Sequence, residues 1–306
     1  MQKTISHAIR FDGIALHSGR PARLVIRPAP AGSGIVFRRT DLGPAAPIIP
    51  ASWDRVVQSP LCTRLVGSDG ISVSTVEHVM AALVGCGIHN ATLDIDGSEL
   101  PIVDGSAAPF VTKILAVGLV SQAAPVQAFR IVRPVEVSRG AARARLSPND
   151  TLRMEFTIDF ADAAIGVQTK TLDMSDGSFV RELSNARTFC RKADVDLMHA
   201  KGLALGGSLE NAVVVDGDKV LSPGGLRHAD EAVRHKMLDA LGDLGLAGLP
   251  VIGLYQGVRA GHALTNELMR AVFSDPANYR IFTCATVPAA HLPALGAPFG
   301  ALARAA

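Results

Sequence analysis

The chain is poor in the features that mark secreted, membrane-spanning or nucleic-acid-binding proteins. It has four cysteines in 306 residues, Cys62, Cys86, Cys190 and Cys284, and no two form a CxxC pair. That argues against a thiolate zinc knuckle and suits a reducing compartment. The opening stretch MQKTISHAIRFDGIALHSG has no apolar core, so no secretory signal is expected, and the scattered cysteines lead us to expect a cytoplasmic protein. The most apolar stretch, LGLAGLPVIGLYQG (244–257), is short and broken by Gly and Pro. It reads as a helix end plus a strand, so no membrane span is expected. There is no excess of either charge: Lys+Arg is 30, Asp+Glu is 28 and the net charge is +2. That near balance argues against a nucleic-acid partner, while leaving room for a local basic patch for a phosphorylated small molecule. What the chain does have is apolar material, 48% of it, enough at this length for two domains with two buried cores.

The periodicity reads as an α+β fold whose two halves resemble each other. Strand-like runs near 4–10, 22–27 and 34–38 precede a helix over 74–84, a strand over 90–95 and a helix over 105–117. Runs near 129–137, 141–146 and 151–159 precede a helix over 229–244, a strand over 250–256 and a helix over 261–273. An internal duplication explains this order economically. The expected units are 1–122 and 128–306, with a linker near 119–128 where Ala, Gln and Pro interrupt the pattern. Each unit carries an insert, near 39–70 (with the single tryptophan, Trp53) and near 181–221. The second contains a short amphipathic helix over 192–201 and a Gly206-Gly207 turn. Inserts of this kind often shape pockets.

Chemistry concentrates on the two central helices. In RHADEAVRHKMLDALGD (227–243), His235 and Asp239 stand four apart, on one helical face, and Asp243 extends the row. Val233, Met237, Leu238 and Leu241 mark this helix as largely buried, and a buried charged row needs partners or a metal. In STVEHVMAAL (74–83), Glu77 adjoins His78. Two His and one Asp with a spare carboxylate is the composition of a catalytic zinc site with one open position. If one ion takes His78, His235 and Asp239, the site lies at the interface of the two units. Blander readings compete. Ser74-Thr75-Val76-Glu77 fits a capping box, with Ser74 as cap and Glu77 reaching back. His235 and Asp239 could be an ordinary helical pair. His262, opening a helix, could be a polar start or a titratable acid steadied by Asp243. Lys236 and Arg259 are surface charges by default. His17 sits in a Gly-flanked loop with no assigned role, and His7, His89, His199, His228 and His291 show no pattern.

Five segments then carry a resemblance: 74–111 (STVEHVMAALVGCGIHNATLDIDGSELPIVDGSAAPFV), ARTFC (186–190), GLALGGSLENAVVVD (202–216), DEAVRHKMLDALGDL (230–244) and GHALTNELM (261–269). Together they resemble the UDP-3-O-acyl-N-acetylglucosamine deacetylases, zinc amidases of lipid A synthesis, over nearly the whole chain. The resemblance implies two sheet-and-helix sandwich units with one insert each, and one catalytic Zn²⁺, with Fe²⁺ an alternative ion in the cell. It implies His78, His235 and Asp239 as metal ligands and Glu77 as general base. It makes His262 the cationic partner or the general acid, oriented by Asp243, with either His262 or Glu77 protonating the leaving amine, and Thr188 a donor to the oxyanion. Lys236 and Arg259 would face a diphosphate, and Asp159 and Phe160 a uracil. Phe189, Val195, Ala204 and Val214 join the substrate contacts, the last three lining an acyl passage. The implied partners are UDP-3-O-acyl-N-acetylglucosamine and water, acting on a monomer. Cys190 and Arg191 stand where many relatives carry Gly and an apolar residue, and Arg259 stands where they often carry Lys. A zinc amidase for another acylated sugar, and a non-catalytic acyl- or sugar-binding module, are the rival readings.

Overall fold

Alternation in the sequence becomes sidedness in the sheets. Leu152, Met154, Phe156 and Ile158 are all buried on one strand, with more exposed residues between them, as a period of two requires. The computed structural model describes residues 1–175 and 177–284. Asp176 and 285–306, the latter the tail of the expected second unit with His291, lie outside the described residues.

In chain order, the first half runs β1 (Lys3–Ile5), β2 (Ile9–Ile14), β3 (Pro21–Pro28), β4 (Ile35–Arg39), β5 (Ile48–Pro50), β6 (Val56–Val57), β7 (Arg64–Val66), β8 (Ser72–Ser74), α1 (Glu77–Gly85), β9 (Ala91–Ile95), α2 (Ala108–Val117) and β10 (Leu119–Ser121). The second runs β11 (Gln127–Ile131), β12 (Val135–Arg139), β13 (Ala142–Ser147), β14 (Leu152–Asp159), β15 (Val167–Asp173), β16 (Phe189–Arg191), α3 (Lys192–Ala200), β17 (Val213–Asp216), β18 (Lys219–Val220), α4 (Glu231–Gly245), β19 (Val251–Val258), α5 (His262–Phe273) and β20 (Tyr279–Thr283).

One sheet has the order β2-β3-β9-β4-β5, paired antiparallel, antiparallel, parallel, antiparallel. In the other, β12-β13-β19-β14-β15 follows the same four pairings. The antiparallel pair β11–β20 joins that sheet through β19, while β1–β10 pair by themselves. The first insert forms the small sheet β6-β7-β8, and the second forms β16-β17-β18 with α3 beside it.

The central helices α1 and α4 pack on each other. Every α1 residue except Val84 is buried, which matches a helix apolar nearly all round. The contact depends on a missing side chain. A Cβ on Gly242 would lie 2.1 Å from the Glu77 carbonyl oxygen, so α4 approaches the first turn of α1 as only glycine permits. α2 buries Phe110, Val111, Ile114 and Leu115, and α5 buries Leu264, Leu268, Met269 and Val272.

Several expectations need correction. The expected two cores are one: a single large cluster runs through both halves, from Leu24 and Phe37 across Met80 and Leu83 to Met237, Leu238 and Phe156. Among the described residues, Val126, Ala128 and Ile252 form a second, small cluster. The expected strand 129–137 is two strands, because Pro134 has no N–H to pair and the Val132 and Arg133 amides turn to the Asn278 carbonyl instead. The run 4–10 likewise divides into β1 and β2 around Ser6 and His7. The linker 119–128 is shorter than expected, since β10 ends at Ser121 and β11 begins at Gln127. Strands β5 to β8, β10, β15 to β18 and β20 have no counterpart among the expected runs.

Candidate metal centre

The approach to α1 is strained. Thr75 has φ +59°, a left-handed conformation that a β-branched residue adopts at a cost. Its hydroxyl donates to Glu99 Oε1 at 3.3 Å, and Glu99 also accepts from the His17 and Ser18 amides at 2.6 and 2.9 Å. The turn delivers Glu77 and His78 as the first residues of the helix. The capping box is therefore not formed. Ser74 belongs to β8, no side chain caps the helix, and Glu77 accepts the Thr63 amide at 3.0 Å through Oε2.

His78, His235 and Asp239 are all buried, and one ligand atom from each lies within 4.8 Å of the others. Asp239 Oδ1 stands 3.6 Å from His78 Nε2 and 3.3 Å from His235 Nε2. The two imidazoles meet edge to face, centroids 4.9 Å apart. His235 Nδ1 donates to the Ala186 carbonyl at 2.9 Å, which leaves the Nε2 lone pair free to ligate. Burial lowers the His235 pKa to about 4, despite Asp239, and so keeps the ring in the neutral form a metal needs. Asp239 Oδ1 is buried with no hydrogen-bond partner. An anionic oxygen left bare between two Nε2 atoms fits a cation at that point.

Beside this triad lies an acid–base pair. His262 Nδ1 donates to Asp243 Oδ2 at 2.8 Å, while its Nε2 lies 3.8 Å from both Glu77 Oε1 and Asp239 Oδ2. Burial would lower the His262 pKa, but Asp243, Glu77 and Asp239 outweigh it and raise it to about 9. The ring is thus a cation at neutral pH. Burial pushes the Glu77 carboxyl up, against the pull of His262 and His78. A base with a raised pKa and a cationic imidazole beside a cation site is an arrangement suited to proton transfer.

Lys236 is not the surface charge expected by default. Its Nζ donates to Asp239 Oδ2 at 2.8 Å, and its side chain is 18% exposed. Arg259, with φ +49°, is paired to Asp159, so two expected substrate contacts bind each other. Phe160 meets Phe189 edge-on at 5.3 Å, and Phe189 meets His235 in turn at 6.4 Å. Thr188, two residues past Ala186, is held by its amide on the Gly105 carbonyl at 2.8 Å. Val195 lies on α3, where no residue is buried. Ala204 takes a left-handed turn (φ +57°), and Val214 pairs with Cys190 in the β16–β17 ladder. Thr63 and the Ala186 carbonyl went unnoticed in the sequence. Both act through contacts distant in the chain, which no local spacing reveals.

An α+β scaffold that buries two imidazoles and a carboxylate around one point, with a second carboxylate and a cationic imidazole alongside, presents a candidate metal centre with an acid–base pair. Comparison with known proteins makes this particular. Residues 2–274 match the family model for UDP-3-O-acyl N-acetylglycosamine deacetylase (LpxC), and the chain belongs to that family. A UDP-3-O-acyl-N-acetylglucosamine deacetylase of Anaeromyxobacter sp. (strain Fw109-5) is 46% identical over 300 residues, 97% of each chain. Relatives of the same name from Shewanella sp. (strain W3-18-1) and Shewanella loihica are 46% and 45% identical over 276 residues, 90% of each chain. Among the described residues no helix is long and apolar enough to cross a membrane.

Proposed function

We propose that this chain is a zinc-dependent amidase that hydrolyses the acetamide of UDP-3-O-acyl-N-acetylglucosamine and releases acetate, in lipid A synthesis. The observation that carries the metal reading is Asp239 Oδ1, buried, unpartnered and flanked by two imidazole nitrogens. His78, His235 and Asp239 would hold the ion. Zinc bound there would supply a Lewis acid for the carbonyl and lower the pKa of a water toward ~7.

The chain's own groups do the rest. Glu77, its Oε2 fixed by the Thr63 amide, takes the proton of the attacking water. Thr188 donates to the oxyanion as the carbonyl becomes tetrahedral. His262, kept protonated by Asp243, gives its Nε2 proton to the departing amine. Lys236 steadies Asp239 and, with Arg259, meets the diphosphate. Phe160 and Asp159 face the uracil, and Phe189 stands between the nucleotide and the metal ligands. Val195, Ala204 and Val214 line the acyl passage. The matching strand pairings of the two sheets support an internal duplication into units 1–122 and 128–306, and the protein acts as a cytoplasmic monomer.

The test is acetate release from UDP-3-O-acyl-N-acetylglucosamine, with and without chelator, followed by zinc addback. Chelator should abolish release and low zinc restore it. Glu77→Gln should keep its zinc and lose about 10²–10⁴-fold in kcat. His235→Ala should instead lose zinc. Release that ignores the chelator would refute the metal assignment.

A further inference from the structure

Thr63 immediately precedes β7 in the first insert and is buried, at 2% exposure. One residue makes two contacts into the acid–base pair. Its backbone N–H donates to Glu77 Oε2 at 3.0 Å, and its hydroxyl donates to Asp243 Oδ1 at 2.6 Å. The other Asp243 oxygen accepts His262 Nδ1 at 2.8 Å, and His262 Nε2 returns to within 3.8 Å of Glu77 Oε1. Thr63, Asp243, His262 and Glu77 thus close a ring.

The geometry points to Thr63 as a positioning residue that sets the distance between the proton acceptor Glu77 and the proton donor His262. The inference rests on the hydrolase reading above and deepens it. A carboxylate held at one oxygen can swing about its Cβ–Cγ bond. Asp243 is held at both, one by Thr63 and one by His262, so the imidazole plane is fixed. A β-branched side chain has few χ1 choices, so the Thr63 hydroxyl and amide keep one relative placement. The acceptor on one central helix and the orienting carboxylate on the other are thereby tied to a single residue of the insert. Without the hydroxyl, Asp243 Oδ1 becomes a buried acceptor with no donor, and Asp243 is free to turn away from His262.

Thr63→Val keeps the shape and the amide and deletes only the hydroxyl. It should lower kcat by about 10- to 100-fold, with KM and zinc content close to those of the parent and Tm lowered by the unpaired acceptor. Thr63→Ser, which restores the hydroxyl, should recover most of the loss. In an Asp243→Ala background Thr63→Val should cost nothing further, because the residue acts through Asp243. Thr63→Ala carries the same expectations should the valine variant not fold. A Thr63→Val enzyme with parental kcat would overturn the inference. So would equal losses in the serine and valine variants, or losses that multiply in the double variant. The proton resonance of His262 Nδ1 gives a readout without turnover: it should be displaced in Thr63→Val and restored in Thr63→Ser, and an unmoved resonance counts against the role. If the parent protein itself releases no acetate, the functional reading fails, and this resonance alone then decides the positioning role.

Discussion

His89 accepts the Lys3 amide at 3.1 Å through Nδ1. Burial, reinforced by the charges of Lys3 and the N-terminus, lowers its pKa from 6.5 to about 4. As pH falls, the unfolded chain therefore binds this proton before the folded chain does. The stability due to neutral His89 is complete above pH 6.5 and is lost between 6.5 and 4, at up to about 1.4 kcal/mol per unit. His89→Asn, whose Oδ1 can accept the same amide, should flatten this acid limb in urea titrations. An unchanged slope would mean that His89 is already charged in the folded state. At the site itself, single residues were unevenly legible. His235 and Asp239 announced themselves by their spacing of four, and His78 by its place beside Glu77. Glu77 is ambiguous in the sequence, because a helix-start glutamate fits a cap as well as a base; its bond from the Thr63 amide speaks against the cap. Lys236 looked superficial although it stands three before Asp239, a spacing that allows the contact it makes.

Among the elements, the α1–α4 crossing carries the site, because each helix brings candidate ligands to it. Its closeness depends on Gly242. Gly242→Ala would press a Cβ into the Glu77 carbonyl, which is backbone and cannot move aside cheaply. It should cost about 1–3 kcal/mol or more in stability and lower zinc retention along with it. A variant with the parent's Tm and zinc stoichiometry would show that the crossing has slack. The same glycine was readable in DALGDL only as a weak point in a helix, since a partner helix leaves no trace in local periodicity. Strands followed a parallel rule. β14 was legible from its clean alternation, whereas β15 (VQTKTLD) is short of apolar residues and leaves a polar face outward. Pro134, which divides β11 from β12, carries that break in the sequence itself.

For the molecule as a whole, the core is continuous from the first sheet through α1 and α4 to the second. Heat should therefore unfold the halves together, as one calorimetric transition with matching calorimetric and van't Hoff enthalpies. Two resolved transitions would mean that the shared core is too weak to couple them. The strands–helix–strand–helix framework of each half is legible from periodicity, which suffices for the α+β class although the short strands of the inserts and β15 and β20 are not. The union of the cores is not legible, because hydrophobic content says how much is buried and nothing about where the buried faces meet.

One consequence concerns ancestry. The helix segments EHVMAALVG (77–85) and RHKMLDALG (234–242) align without gaps, and His78 falls on His235, Met80 on Met237 and Gly85 on Gly242. Under the duplication proposed above, a symmetric pair of single-unit ancestors would already have brought two identical imidazoles together at its axis. What the copies then had to invent was asymmetry: a carboxylate at Asp239 where the first copy keeps Ala82, and another at Glu77 where the second carries Arg234. On this account the two imidazoles of the candidate metal centre would be older than the carboxylates beside them.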